Sequence, residues 1–530
     1  MGKSIEEAYA KWRSKYLRSY GDGYFIYYKE PSEKAAEQTC SEAHGYGMLI
    51  SVLKRNQQDF DGLYRYFNQW KNHKGLMQWQ QKTTSHGQFV PGDEGGDHCA
   101  TDGDVDIATA LFLAAKVWGR GGAQGEIDYR AAAVNLARSI WDHCFNHETY
   151  MPLIGDWADP GDEAFALTRP SDFILSGYLL FYYEDTERQQ IWGNVVNAIV
   201  NTCQGQLAMN PQTGLIADFL TLDPRTRAYN PVHKEVLESK HDPDYNWNSC
   251  RVPWRLGHYY MLSKDPRIRQ LLETQANFFA HQLSRNSGDC PIRAGYHLNG
   301  QPYADYSDMA FTAPVSFLFW VLDWRQQLDQ VMRYIDEDNE CTYFGESIAM
   351  LAILVFITIV LAKDLLTLTS PTPNQSVTPG HLLSFNYTMN AIFTNSQQQQ
   401  QQQVVLGYTP NYPNALDVYF QWTAKNDSQH MIQFTAAKGL ITDSVSTKDM
   451  VYDHVWRLPS CRFFKRYQPD QWNFNLLFQP IYAEPSNSTT NIPLGPQQSS
   501  MTMPINISVN NMTDSAAVGK GSHHRHRQEC

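Results

Sequence analysis

None of the nine cysteines (positions 40, 99, 144, 203, 250, 290, 341, 461 and 530) pairs with another at Cys-x-x-Cys spacing, so no zinc site is expected. Several stand in apolar helical contexts and read as core thiols. A basic surplus is also missing. Residues 1–350 hold 32 Lys and Arg against 45 Asp and Glu, a balance of −13, and residues 351–530 hold 11 against 10. Phosphate binding needs a basic surface, which argues against a nucleic-acid partner; the acidic front tolerates a neutral or cationic substrate. The opening MGKSIEEAYAKWRSKYL has no apolar h-region and does not read as a signal peptide. Glu6 stands where N-myristoylation wants Ser or Thr. No continuous apolar run reaches the ~20 residues of a membrane span. The longest candidate, Ser347–Ala362, has sixteen, and a buried last helix is the expected reading. All six N-x-S/T sequons (Asn374, Asn386, Asn426, Asn487, Asn506, Asn511) follow that run. A chain with its tail outside and its front inside would show this, and so would an Asn/Ser/Thr-rich tail by composition alone.

What is abundant is aromatic: 14 Trp, 30 Tyr and 25 Phe. Exposed rings suit stacking on sugars or bases, and large cores use them equally. Apolar spacing of three and four predicts helices near 104–118, 129–143, 171–183, 187–203, 266–284, 310–334 and 344–362. Long Gly-, Pro-, Asp- and Trp-rich loops join them, which suggests a helical toroid with a site on its loop face rather than a plain bundle. After 362 the composition changes. SPTPNQSVTPG and the seven glutamines 397–403 read as a linker over 363–403. VVLGY, LDVYFQW and HMIQFTA suggest a small β-rich region over 404–484, and 485–530 reads as disordered, with HHRHR a solvated basic end.

Four acidic features stand out. In CSEAHGYGMLI, residues 40–50, Ser41 reads as an N-cap and Glu42 sits in the first turn, where the helix dipole favours an acid without any further role. In ATDGDVDIATALFLAAKVW, Asp102, Asp104 and Asp106 crowd one helix start, more acids than a cap requires. No Gly-x5-Glu follows, so an EF-hand is excluded. GDWADPGDE carries Asp156 and Trp157. EVLESKHDPDYNWNSCRVPWRLG carries Glu235, Glu238, Asp242, Asp244, Tyr245 and Trp247, then Arg251 and Arg255. Acids, rings and arginines on separate loops are what a polysaccharide cleft needs. One carboxyl donates a proton to the leaving oxygen, one activates water, rings stack on sugars, and arginines orient an acid and tune its pKa.

These stretches, in order over roughly residues 10–360, resemble glycoside hydrolase family 8, a family of inverting endo-glycanases. SEAHGYGM resembles its SE-x-x-GYGM segment, and ATDGDVDIATALFLAAKVW resembles its A-[ST]-D-[AG]-D-x-x-[IM]-A signature, with Phe112 bulkier than usual. LMQW, GDW, TRPSDF (Arg169, Asp172), GLIADF (Asp218) and AGYHLNG (294–300) follow. The resemblance implies an all-α (α/α)6 barrel over 1–362, Glu42 as general acid, Asp102 at the cleavage site, and sugar contacts from Trp79, Asp156, Trp157, Tyr245 and Arg251. Many members place an Asp base in D-A-x-R, where this chain has Asn248-Ser249-Cys250-Arg251. The branch with chitosanases and β-glucanases has Asn there and takes its base from a preceding insertion. VLESKHDPDYNWN is similar to that insertion, which maps the base to Glu238, with Glu235 the nearby competitor.

The resemblance implies hydrolysis of β-1,4 linkages in chitosan or β-glucan by a secreted monomer that needs no cofactor or metal. Cellulase, lichenase or xylanase activity with the same pair, and a carbohydrate-binding pseudoenzyme, are the rival expectations. The last helix ends in FITIVLAKDLLTLT rather than the usual Gly-Asn-Trp-like close. His44 is expected at the surface or behind the site.

Overall fold

The computed structural model describes residues 5–30, 35–285, 290–337, 342–360, 365–390, 412–443, 448–482 and 500–508. The poly-Gln run, VVLGY, HHRHR and the sequons at Asn487 and Asn511 lie outside the described residues.

Up to residue 360 the described chain holds twelve α-helices: α1 (Ile5–Tyr16), α2 (Ser41–Leu53), α3 (Gln57–Gln69), α4 (Thr101–Trp118), α5 (Tyr129–Cys144), α6 (Leu175–Glu184), α7 (Gln189–Met209), α8 (Val252–Ser263), α9 (Pro266–Leu283), α10 (Met309–Val321), α11 (Arg325–Glu337) and α12 (Tyr343–Val360). They sort by pattern. α2, α6, α8 and α10 are buried on almost every side, and so is the first half of α4. α3, α5 and α9 bury one stripe and wet the other face. The fully buried kind forms an inner ring in which α2, α4, α6, α8, α10 and α12 pack in succession and α12 returns to α2. α3, α5, α7, α9, α11 and α1 back them from outside. This is the (α/α)6 barrel.

The ring closes where the two ends of the barrel meet. Trp12 Nε1 donates to Ser347 Oγ at 2.9 Å, Tyr16 OH donates to Glu346 Oε2 at 2.7 Å, and Lys15 pairs with Glu346 at 2.5 Å. The apolar run from Ser347 is thus part of the last barrel helix, and no helix of the described residues is long and apolar enough to cross a membrane. The single helix expected over 310–334 is broken. Asp323 takes a left-handed φ of +60°, and Trp324 N–H donates back to Phe319 O, a turn that ends α10 and starts α11. Ser41 is not the N-cap of α2. Cys40 is, and Ser41 is the first helical residue.

Residues from 365 on form a second compact unit with its own core. A three-stranded sheet (366–370, 382–389, 450–457) and a five-stranded sheet (375–377, 501–507, 472–481, 415–424, 427–440) supply inward-facing Phe385, Tyr387, Phe420, Trp422, Phe474 and Phe478. Three of these strands fall in the stretch expected as linker, and 501–507 falls in the stretch expected as disordered. The physical reason is a period of two: Leu383, Phe385, Tyr387 and Met389 alternate inward beneath a Ser-, Thr- and Asn-rich exterior. Strand 501–507 gains its place by pairing with 472–481 on one side and 375–377 on the other.

Candidate active site

Glu42 stands at the start of α2 because two inner helices touch backbone to backbone. A Cβ on Gly103 of α4 would lie 2.6 Å from the carbonyl carbon of Ser41, and one on Gly45 would lie 2.8 Å from Asp106 Cβ and 3.0 Å from Gly103 O. Only glycine allows that approach, and it sets the first turns of α2 and α4 side by side. Cys40 enters extended, and Ser41 N–H donates to Trp79 O at 2.8 Å, which ties the LMQW strand to the same corner.

The three aspartates at the head of α4 have three different partners. Asp102 Oδ2 accepts from Arg251 Nη1 at 3.0 Å. Asp104 Oδ1 accepts from Met77 N–H at 2.9 Å and pins the stretch leading to Trp79, while its other oxygen has no hydrogen-bond partner. Asp106 takes Arg255 in a two-pronged pair at 2.9 and 2.6 Å. Burial raises the pKa of Asp104 well above the ordinary value.

Arg251 is the hub. Its buried guanidinium donates to Glu42 Oε2, Asp102 Oδ2 and Tyr46 OH through Nη1, and to Ser171 Oγ (3.0 Å) and Asn248 Oδ1 (3.1 Å) through Nη2. Glu42, with a side chain 20% exposed, has its pKa raised to about 7. Burial is the main cause; Arg251 opposes it and the Asp102 charge adds to it. Burial also works against charge on Asp102, but Arg251, Arg169 and Arg255 outweigh it and its pKa is lowered. Two neighbouring carboxyls are thereby driven apart, one toward the protonated form and one ionised. Asp172, next to Ser171, is raised to about 8 by burial and by the Asp102 charge.

Glu238 comes from the loop between the strand at Tyr229–Pro231 and the turn at Ser249. Its side chain is 43% exposed, and its carboxylate is held at both oxygens: Asn248 Nδ2 donates to Oε2 at 2.7 Å and Arg169 Nη2 to Oε1 at 3.0 Å. Asn248 is fixed in turn by Asp218, which accepts from the N–H groups of Asn246, Asn248 and Ser249 and from Ser249 Oγ. A path of one guanidinium and one amide therefore runs from Glu42 through Arg251 and Asn248 to Glu238.

Glu42, Asp102, Arg169, Glu238, Asn248 and Arg251 line one cleft of about 540 Å³. Of the residues expected at the site, Glu42, Asp102, Trp79, Trp157, Glu238 and Arg251 line it; Glu235 does not. Tyr245 does not either. Its ring is fully buried against Phe279, Tyr296 and Phe311, because the chain there pairs with Tyr296 and turns the side chain into the core. Asp156 lies behind the wall. It accepts from Cys99 N–H at 2.8 Å and Asn72 Nδ2 at 3.0 Å, so it braces the approach to Asp102 and leaves the sugar side to Trp157. The sequence reading missed Tyr28 and Leu237 as lining residues and gave Arg169 no role; the TRPSDF match was the signal for Arg169. His44 is buried, not superficial. It donates from Nε2 to Leu63 O at 2.8 Å, stacks on Tyr66, and burial lowers its pKa to about 4, so it is a neutral tie between α2 and α3. Among the described residues, no group of three or more His, Cys, Asp or Glu is arranged to hold a metal ion.

Residues 2–355 match the model for glycosyl hydrolases family 8. A beta-glucanase of Niallia circulans is 32% identical over 67% of this chain and 84% of its own length. Endoglucanase A of Acetivibrio thermocellus is 29% identical over 71% of this chain and 73% of its own. Among solved structures, a beta-1,3-1,4-glucanase from a Paenibacillus species is 31% identical, with a TM-score of 0.59 over 66% of this chain and 90% of that one. A cold-adapted family 8 xylanase, at 18% identity and a TM-score of 0.56, shares the fold. With a barrel of this form, a cleft of this make-up and a family match over most of its length, the chain belongs to glycosyl hydrolase family 8 and is a glycoside hydrolase.

Proposed function

We propose that this glycoside hydrolase is an endo-acting, inverting enzyme for β-1,4-linked chains, with β-glucan or chitosan as substrate, Glu42 as general acid and Glu238 as general base. The observation that carries the reading is that the two glutamates line one cleft, Glu42 with its pKa raised by burial and Glu238 held by a guanidinium and an amide. Glu42 is mostly buried, with its pKa raised to about 7, and can hold a proton for the leaving oxygen. Glu238 is partly exposed and accepts hydrogen bonds from Arg169 and the Asn248 amide, which orient its carboxylate beside solvent. Arg251 and Asn248 stand between the two glutamates, as a water-spaced pair requires; inversion calls for carboxyls roughly 6.5–9.5 Å apart. Trp79 and Trp157 supply ring faces for sugars beside that point.

The names of the relatives favour glucan; the −13 balance of residues 1–350 favours a cationic glucosamine chain. The test is hydrolysis of soluble mixed-linkage glucan, carboxymethyl cellulose, xylan and chitosan by wild type, Glu42→Gln and Glu238→Gln, with the first product anomer read by proton NMR. Release of the α-anomer first, abolished by either substitution, is expected. Release of the β-anomer first, or full activity in Glu238→Gln, overturns the assignment. Binding without cleavage of any of the four makes the chain a carbohydrate-binding pseudoenzyme.

A further inference from the structure

The loop that carries Glu238 has no ladder or helix to hold its backbone, and the glutamate itself is too exposed to be positioned by packing. One buried side chain takes over that task. Asp242 is fully buried, and its carboxylate accepts from four consecutive backbone N–H groups: Val236 (2.8 Å), Leu237 (2.8 Å) and Glu238 (3.2 Å) on Oδ2, and Ser239 (2.9 Å) on Oδ1. A buried carboxylate without donors is costly, so the loop wraps around Asp242 to supply them. Asp242 is itself anchored, because its carbonyl accepts from Phe219 N–H at 3.1 Å, and Phe219 packs in a small apolar cluster with Ile154, Leu167 and Val232.

We propose that Asp242 is a positioning residue for the hydrolysis: its grip on residues 236–239 fixes where Glu238 stands in the cleft. The inference rests on Glu238 being the base. It goes further in saying that the base is placed from two sides, the side chain by Arg169 and Asn248 and the backbone by Asp242. Attack by water tolerates little misplacement, and an error of about 1 Å costs on the order of 100-fold in rate. Asp242 does not touch substrate; it acts only through Glu238.

That restriction makes it separable from a general folding role. Asp242→Ala, Glu238→Gln and the double variant are compared with wild type on soluble mixed-linkage glucan or, if that is the better substrate, chitosan, with circular dichroism and oligosaccharide affinity recorded for each. Asp242→Ala is expected to lower kcat about 10- to 100-fold with KM within threefold. Asp242→Asn, which keeps one accepting oxygen for the Oδ2 donors, is expected to recover most of it. The double variant should be no slower than Glu238→Gln, within twofold, because a displaced base and an absent base are the same defect. Losses that multiply, or a folded Asp242→Ala with wild-type kcat, overturn the proposal. Full activity in Glu238→Gln overturns the reading of the base instead. If Asp242→Ala does not fold, Asp242→Ser, whose hydroxyl reaches fewer of the donors, is read in the same way.

Discussion

The side-chain amide of Asn248 donates to Glu238 Oε2 at 2.7 Å while its oxygen accepts from Arg251 at 3.1 Å. The amide that stands where other members have an aspartate cannot accept a proton from water, but it uses both of its ends, and a carboxylate in its place would have nothing to donate. Asn248→Ala is expected to lower kcat about 10- to 100-fold with little change in KM, since it frees the carboxylate on one side without touching the sugar sites. Steady-state kinetics on the best substrate checks this; an unchanged kcat would show that Arg169 alone orients Glu238.

As the proposed general acid Glu42 must be protonated to act, and burial raises its pKa to about 7, so activity should be full below that value and fall as pH rises through it. The Asp102 charge is one of the causes that raise it. Asp102→Asn should therefore move the basic limb of the pH profile of kcat/KM to lower pH, in addition to any loss in rate. A limb that stays in place would assign that ionisation to another group.

Asp172 has a pKa of about 8 in the fold against an ordinary 3.8, with one oxygen unpartnered. The native state then holds a proton that the unfolded chain has released, and stability falls as pH rises from about 4 to 8, by up to about 1.4 kcal/mol per unit from this group. Asp172→Asn imitates the protonated form. Its thermal midpoint should fall less steeply than that of wild type between pH 5 and pH 8; parallel curves would show that Asp172 is ionised in the fold.

Gly103→Ala should cost on the order of 1–3 kcal/mol, because the added methyl meets the Ser41 carbonyl carbon and Cβ as well as its hydroxyl, and only the hydroxyl can turn away. It should also lower kcat, since α2 can yield only by carrying Glu42 away from Asp102. Thermal denaturation and kinetics together check this, and a stable, fully active variant would show that the two helices have slack.

Much of the cleft was legible in the sequence because its chemistry sits in short ordered stretches. Glu42, Asp102, Trp79, Trp157 and Arg251 each stand in a run that resembles a family segment, and all of them line the cleft. Tyr245 and Asp156 were misplaced because a composition of acids and rings does not say which side chain turns inward. Tyr245 lies in the same loop as Glu238, but a backbone pairing with Tyr296 buries it. Most of the amphipathic helices announced themselves by period. α2 was read only from its first turn, and α3 and α8 were not read at all: α8 is buried on nearly every side and has no polar phase, while α3 has one buried stripe whose spacing was passed over. The early strands of the second unit were hidden beneath Pro, Ser and Asn, residues that usually mark a linker.

The pairing of α1 with α12 has a consequence for how the enzyme comes into being. Trp12 and Ser347 are 335 positions apart, and α2, the helix that carries Glu42, packs directly on α12. Every residue of the cleft has left the ribosome by Arg251, yet the wall behind Glu42 is not made until the chain has grown past Tyr343. Contacts this distant in sequence form late. A chain stopped after α10 would thus carry the complete catalytic complement and still be inactive, and a nascent chain should gain activity in one step, when the last helix docks.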